Sequence, residues 1–274
     1  MTDAECVAFL QWALPRLRLR WQGFRKVRRQ VCRRVERRVV ELGLSGVAGY
    51  RAFLEATPEE WSRLDELCRI TISRFYRDKG VFDFLRQVVL PTLARDAEAR
   101  KARLEAWSAG CASGEEAYTL ALIWHLAVGP GLPGVALHVL ATDGDEAMLR
   151  RAEAAVYPPS AIRDLPLHWG EIGFTREGDL STLRAEFRRP VTLVRHDVRE
   201  APPGGPFDLV LCRNVAFTYF DLDLQRQIAA QLAGCVRRGG ALVLGAHETL
   251  PAGAQGFAPW SAALPVFRRV TGSG

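Results

Sequence analysis

No stretch of this chain approaches the ~20 consecutive apolar residues that a membrane-spanning helix needs. Residues 1–14 are acidic and lack the basic start of a secretory signal, so a cytoplasmic protein is expected. The six cysteines, Cys6, Cys32, Cys68, Cys111, Cys212 and Cys235, lie far apart and include no CxxC pair. That spacing suggests neither a zinc site nor the disulfide framework of a small secreted protein. They read as small buried hydrophobes, and no metal is expected. Internal repeats and low-complexity tracts are also missing, and Gly and Pro are spread rather than clustered. What remains is an ordinary globular composition: 274 residues, 48% of them apolar, enough for one good core and a smaller accessory domain.

Charge is unevenly placed. Residues 1–100 carry 20 Lys and Arg against 13 Asp and Glu, and residues 101–274 carry 17 against 18, so the net +6 arises entirely in the first part. Eleven of these cations fall between Arg16 and Arg38. This asymmetry points to an acidic partner for the N-terminal region, a glutamate-rich helical protein rather than nucleic acid. No aromatics interleave the arginines from Arg25 to Arg38 in the way base stacking requires. A solvated face opposite an apolar stripe is the plainer alternative.

Residues 1–97 read as helices alone. Phe24, Val27, Val31, Val35 and Val39 recur at helical spacing and make one apolar stripe among the arginines. Gly43 and Gly46 end that helix, and a short one covers 47–55. Thr57-Pro58-Glu59-Glu60 predicts a capped helix start with Thr57 and Glu60 as a capping box. Another helix covers 79–93, and 95–103 reads as a linker or a frayed end.

From residue 104 strands alternate with helices: strands at 104–108, 136–141, 191–195, 207–212 and 240–245, helices at 115–128, 146–155 and 221–236. A last antiparallel edge strand is expected at 265–270. Residues 157–190 break the rhythm as an insertion with a short strand or two. The pattern predicts an α/β fold with a doubly wound, mostly parallel sheet (98–274), preceded by a small all-α domain (1–97).

The most specific local feature is the turn Ser108-Ala109-Gly110-Cys111-Ala112-Ser113-Gly114 between the first strand and a helix opening with Glu115-Glu116. Gly110 and Gly114 allow sharp bends and close backbone approach. A strand, a small-residue loop and a helix start form the nucleotide cradle of open α/β sheets. Two carboxylates there would repel a phosphate. They suit a cofactor with positive charge and an amino group, for which S-adenosylmethionine is the candidate. Asp143, at the end of the second strand, stands where such folds hold ribose hydroxyls. Asp145 reads better as a helix cap. His196-Asp197-Val198 follows the third strand, and the run 207–220 delivers Arg213 and Asn214 to the ligand edge of the sheet with aromatics behind. Thr71 to Asp78 joins hydroxyls, aromatics and two arginines between helices.

In this order the segments resemble the bacterial chemotaxis-receptor methyltransferase family, the CheR-type protein-glutamate O-methyltransferases, over about residues 22–270. The motifs are Phe75-Tyr76-Arg77-Asp78; Ser108 to Thr119 for the family's SAGCSTGEEPYS; Ala141 to Asp145; Phe207 to Asp221; and Gly239 to Glu248. The resemblance implies a Rossmann-like class I methyltransferase domain that uses S-adenosylmethionine and releases S-adenosylhomocysteine. It implies cofactor contacts from Thr71, Ser73, Arg77, Gly110, Glu116, Asp143, Asp197, Val198, Asn214 and Val215, with Glu116 taking the amino group. It also implies that the arginine-rich helix (16–38) meets the acidic protein substrate. Three departures stand out. The run 214–220 is one residue longer than the family's. His247-Glu248-Thr249-Leu250 replaces HSEN, so that the acidic residue two past the histidine is lost. The insertion is shorter than usual.

A carboxylate acceptor is already ionised near neutral pH, since Glu titrates near ~4.3, so no general base is required. Arg77 is the candidate for placing that carboxylate, and Tyr219 for shaping the methyl pocket. A non-catalytic module that binds S-adenosylmethionine or its product, and a methyltransferase acting on a small molecule or another acceptor, are the alternatives.

Overall fold

The computed structural model describes residues 1–270. Two compact units emerge: Met1–Ile70 with Thr218–Gln225, and Thr71–Phe217 with Arg226 onward.

The second unit holds ten strands: β1 (Leu104–Ala109), β2 (Leu137–Asp143), β3 (Val156–Tyr157), β4 (Phe174–Glu177), β5 (Leu180–Leu183), β6 (Val191–Arg195), β7 (Phe207–Leu211), β8 (Val236–Val243), β9 (Phe257–Pro259) and β10 (Val266–Arg269). Seven form one sheet in the order β6-β2-β1-β7-β8-β10-β9. The first four pairings are parallel, while β10 runs antiparallel to both β8 and β9. The expected edge strand is therefore internal to that side, and the three-residue β9, too short to leave a pattern, is the true edge. After β1 the chain builds outward through β2 to β6, then returns to β7 on the other flank. This reversal opens a crevice at the carboxyl ends of β1 and β7, where ligands of open α/β sheets bind. All of β7 is buried, as its apolar run requires. Its one charged residue, Asp208, 2% exposed, is matched by Arg100 and Arg237 and by the Glu105 N–H.

The insertion forms a separate antiparallel sheet in the order β3-β5-β4. The helices Lys79–Phe84 and Leu90–Ala99 also belong to this unit, with Val81, Phe82, Leu85, Leu90 and Leu93 in its core beside Leu104 and Leu120. Contact packing thus places the break near residue 70, whereas the sequence pattern placed it at 97. An amphipathic helix looks the same whichever core takes its apolar face.

The first unit packs the helices Asp3–Ala13, Trp21–Phe24, Arg28–Glu41, Gly46–Ala56 and Glu60–Cys68. Phe24, Val31, Val35 and Val39 of the expected stripe are buried. Helical hydrogen bonding is interrupted between Phe24 and Arg28, so the stripe spans two helices. The expected capping box at Thr57 does not form. Glu60 instead accepts from Arg38 Nε and Nη2, at 2.9 and 2.8 Å, and from the Tyr50 hydroxyl. A two-pronged charged partner outcompetes a backbone N–H for the same carboxylate. The Arg38 hydrogen bonds hold the Glu60 carboxyl below its ordinary range against the opposing effect of burial. A capping box does form at Thr2 and Glu5.

Cys6 and Cys32 form a disulfide with a Cα–Cα distance of 5.9 Å, which corrects the expectation of free cysteines. The pairing depends on how two helices pack, which cysteine spacing does not record. Cys68, Cys111, Cys212 and Cys235 are buried thiols, as expected.

The segment Thr218–Gln225 adds to the first unit by backbone pairing. Leu19 bridges Phe220, the Arg20 N–H donates to Tyr219 O, and the Asp221 N–H donates to Arg18 O. Gly23 is required here, because a Cβ would lie 2.3 Å from the Thr218 carbonyl oxygen. Among the described residues no helix is long and apolar enough to cross a membrane.

Candidate functional site

The small-residue loop leaves β1 at Gly110, whose φ of +81° suits only glycine, and its Cβ would meet Val215 Cγ2 at 2.6 Å. The loop is fastened to β2 by the Gly110 and Cys111 N–H groups, which both donate to Thr142 O at 2.8 Å. Asp143 ends β2. Its Oδ2 accepts from the Ala112 N–H and its Oδ1 from the Asp145 N–H, each at 2.8 Å, so the carboxylate is locked at the loop's edge. Asp145 caps the next helix through the N–H groups of Ala147 and Met148, as its position implied.

Glu116, in the first turn of the helix Glu115–Ile123, receives Ser108 Oγ at 2.7 Å on Oε1 and Arg213 Nη1 at 3.0 Å on Oε2. Burial pushes the Glu116 carboxyl above its ordinary value, and Arg213 opposes the rise. Arg213 is the hub of the cluster. Its Nη2 donates to the Arg77 carbonyl oxygen at 2.9 Å and to Asp78 Oδ2 at 2.8 Å, and its guanidinium lies 4.8 Å from the centroid of the Phe82 ring. The segment carrying Thr71, Ser73 and Arg77 is thereby tied to the helix start that carries Glu116. Arg77 reaches Ile72 O through Nη1 at 2.7 Å and Asn214 Oδ1 through Nη2 at 3.4 Å. Thr71 and Ser73 are half-buried along that segment.

On the other side, Asp197 and Val198 follow β6, next to Asp143, whose carbonyl oxygen accepts the His196 N–H. Asp197 grips Arg199 through both carboxylate oxygens, and Val198 is buried. Cys111 and Cys212, both in this region, have thiols pushed up by burial, so neither is poised as a nucleophile.

Arg213 thus pairs with Asp78 and Glu116, while the carboxylates of Asp143 and Glu248 are held by backbone N–H groups of the loop and the strand end. An acidic excess at the carboxyl ends of the strands suits a ligand carrying a sulfonium and an ammonium group, and disfavours phosphates. The residues present therefore fit S-adenosylmethionine.

Of the sequence-derived residues, the structure joins Gly110 to Val215 and Arg77 to Asn214, and links Glu116 to both through Arg213. Tyr219 lies in the first unit, its ring 5.1 Å from that of Phe24. The central role of Arg213, the Ser108 hydroxyl and the Glu248 carboxylate were not predicted. The sequence placed Arg213 at the ligand edge without its partners, since an arginine just past a buried strand must meet carboxylates or solvent. Glu248, one past His247, reaches back to the strand end by accepting the Gly245 N–H at 2.7 Å.

Residues 71–263 match the family described as CheR methyltransferase, SAM binding domain, and the match begins where the second unit begins. A chemotaxis protein methyltransferase of Listeria innocua is 34% identical over 190 residues, 68% of this chain and 70% of that protein. A probable chemotaxis protein methyltransferase of Rhizobium etli is 31% identical over 224 residues, 78% of this chain and 82% of that protein. An uncharacterized 104.1 kDa protein of Rhodobacter capsulatus is 34% identical over 80% of this chain, which spans only 23% of that protein's length.

Proposed function

This chain belongs to the CheR methyltransferase family, and we propose that it transfers the methyl group of S-adenosylmethionine to a carboxylate of an acidic protein. The observation that carries the reading is the Arg213 clasp, which joins Glu116, at the helix start after the glycine loop, to the Arg77–Asp78 segment. It sets a carboxylate for the cofactor's ammonium group beside an arginine that can hold a substrate carboxylate.

In this reading Thr71, Ser73, Arg77, Gly110, Glu116, Asp143, Asp197, Val198, Asn214 and Val215 hold the cofactor. Asp143 takes the ribose hydroxyls and Glu116 the amino group. S-adenosylmethionine supplies an electrophilic methyl on sulfur. The protein's own task is to orient and to exclude water, because the nucleophile is ionised without help. Arg77 places the carboxylate.

The substrate is brought by the basic helix. Arg29, Arg33 and Arg37 recur every fourth residue of the helix Arg28–Glu41 and are exposed. By contrast Arg28, Arg34 and Arg38 are engaged with Asp3, the Leu67 and Arg69 carbonyls, and Glu60. The helix therefore keeps one set of cations for structure and another for an acidic partner. The relatives named as chemotaxis protein methyltransferases support a protein acceptor.

The test is to incubate the chain with methyl-labelled S-adenosylmethionine and a bacterial lysate. Label released as methanol by mild alkali is the expected result. Alkali-stable label would move the acceptor to nitrogen, and tight cofactor binding with no label would mean a sensor.

A further inference from the structure

Where β7 and β8 end, their ladder closes with the Cys212 N–H donating to Val243 O. Just beyond, the N–H groups of Asn214 and Gly245 both donate to one atom, Glu248 Oε2, each at 2.7 Å. Glu248 is only 5% exposed. It is brought there by a tight turn in which its own N–H donates to Gly245 O at 2.9 Å. A Cβ at Gly245 would lie 2.7 Å from Asn214 Oδ1 and 2.8 Å from Glu248 Oε2, so these three residues are in close contact. Asn214 itself is left-handed, with φ +57°, a conformation uncommon outside glycine and reached more readily by asparagine than by most residues.

We propose that Glu248 is a positioning residue for the cofactor site: its carboxylate fixes the left-handed turn at Asn214 and thereby aims Asn214 Oδ1 at Arg77. A charged oxygen accepting two backbone N–H groups is stronger and more directional than a neutral acceptor would be. Without it, one buried and one half-buried donor lose their partner and the Asn214 turn loses its restraint. The inference rests on the reading of Arg77 and Asn214 as cofactor contacts and adds the residue that sets their geometry.

The experiment titrates S-adenosylhomocysteine into the full chain by calorimetry, below the melting temperature of every variant. Glu248→Ala is expected to weaken binding by about tenfold or more, while Glu248→Gln, which retains an acceptor oxygen, stays within about threefold of wild type. The double variant should lose no more than Asn214→Ala alone, because Glu248 acts through Asn214. If Glu248→Ala melts earlier yet binds like wild type, Glu248 is merely structural and the proposal fails. Additive losses in the double variant overturn it as well. Should the alanine variant not fold, Glu248→Asp replaces it: it retains the charge but cannot span the same distance, and must bind more weakly than Glu248→Gln. A wild-type chain that binds no S-adenosylhomocysteine would overturn the underlying functional reading, and this proposal with it.

Discussion

Arg213 and Glu116, 97 residues apart in sequence, meet at 3.0 Å with the arginine side chain only 2% exposed. Because the same guanidinium serves Asp78, removing it leaves two carboxylates without their cation. Arg213→Met is expected to cost about 3–5 kcal/mol of stability, the range for breaking one side of a buried ion pair. Denaturant unfolding measures it. A loss under about 1 kcal/mol would mean that water already shares the cluster.

Glu116 gives a pH signature. Burial raises its carboxyl in the folded protein above the unfolded value of about 4.3. Its contribution to stability is therefore complete below that pH and lost as pH rises through the folded value. Glu116→Gln cannot ionise, so it should gain stability on wild type as pH climbs from about 4 towards 7. Parallel stability curves for the two proteins would sink this assignment.

Glu60 has the opposite sign. The Arg38 hydrogen bonds lower its carboxyl, so its contribution is present above about pH 4.3 and lost as pH falls through the folded value. Glu60→Ala should destabilise the chain by about 3 kcal/mol at pH 7, with the gap narrowing in acid. Thermal melts across pH 3 to 7 (roughly the titration window of a lowered carboxylate) check both the size and the direction.

Replacing Arg29, Arg33 and Arg37 by glutamate should raise KM for an acidic protein substrate by about tenfold or more and flatten its salt dependence. Affinity for S-adenosylhomocysteine should stay within about twofold. An unchanged KM would make these arginines an ordinary solvated face.

For Arg77, the expected result of Arg77→Ala is a fall in kcat/KM of about a hundredfold, from lost placement of the acceptor. Methyl-transfer kinetics against the Glu116→Gln variant separate this from a loss of cofactor affinity. Full turnover in Arg77→Ala would remove it from the chemistry.

Much of this could be read from the sequence because each feature is local. The buried strands from 104 onward announce themselves as apolar runs, and Gly110 and Gly114 mark positive φ by composition alone. What could not be read depends on distance in space. Cys6 meets Cys32 only because two helices pack. Glu60 abandons a local cap for Arg38, 22 residues away, and Arg213 finds Glu116 across the cleft. Strand β8 begins at Val236, earlier than expected, because Arg237 and Arg238 hide its start.

The backbone pairing of Leu19 with Phe220 also has an order in time. A ribosome releases all five helices of the first unit long before it makes the segment that completes that unit. Until residue 225 has emerged, Gly23 and the Arg18–Arg20 backbone wait for partners encoded some two hundred residues later. The smaller unit is therefore started first and finished late, and cutting the gene at residue 70 would yield a fragment that lacks part of its own fold.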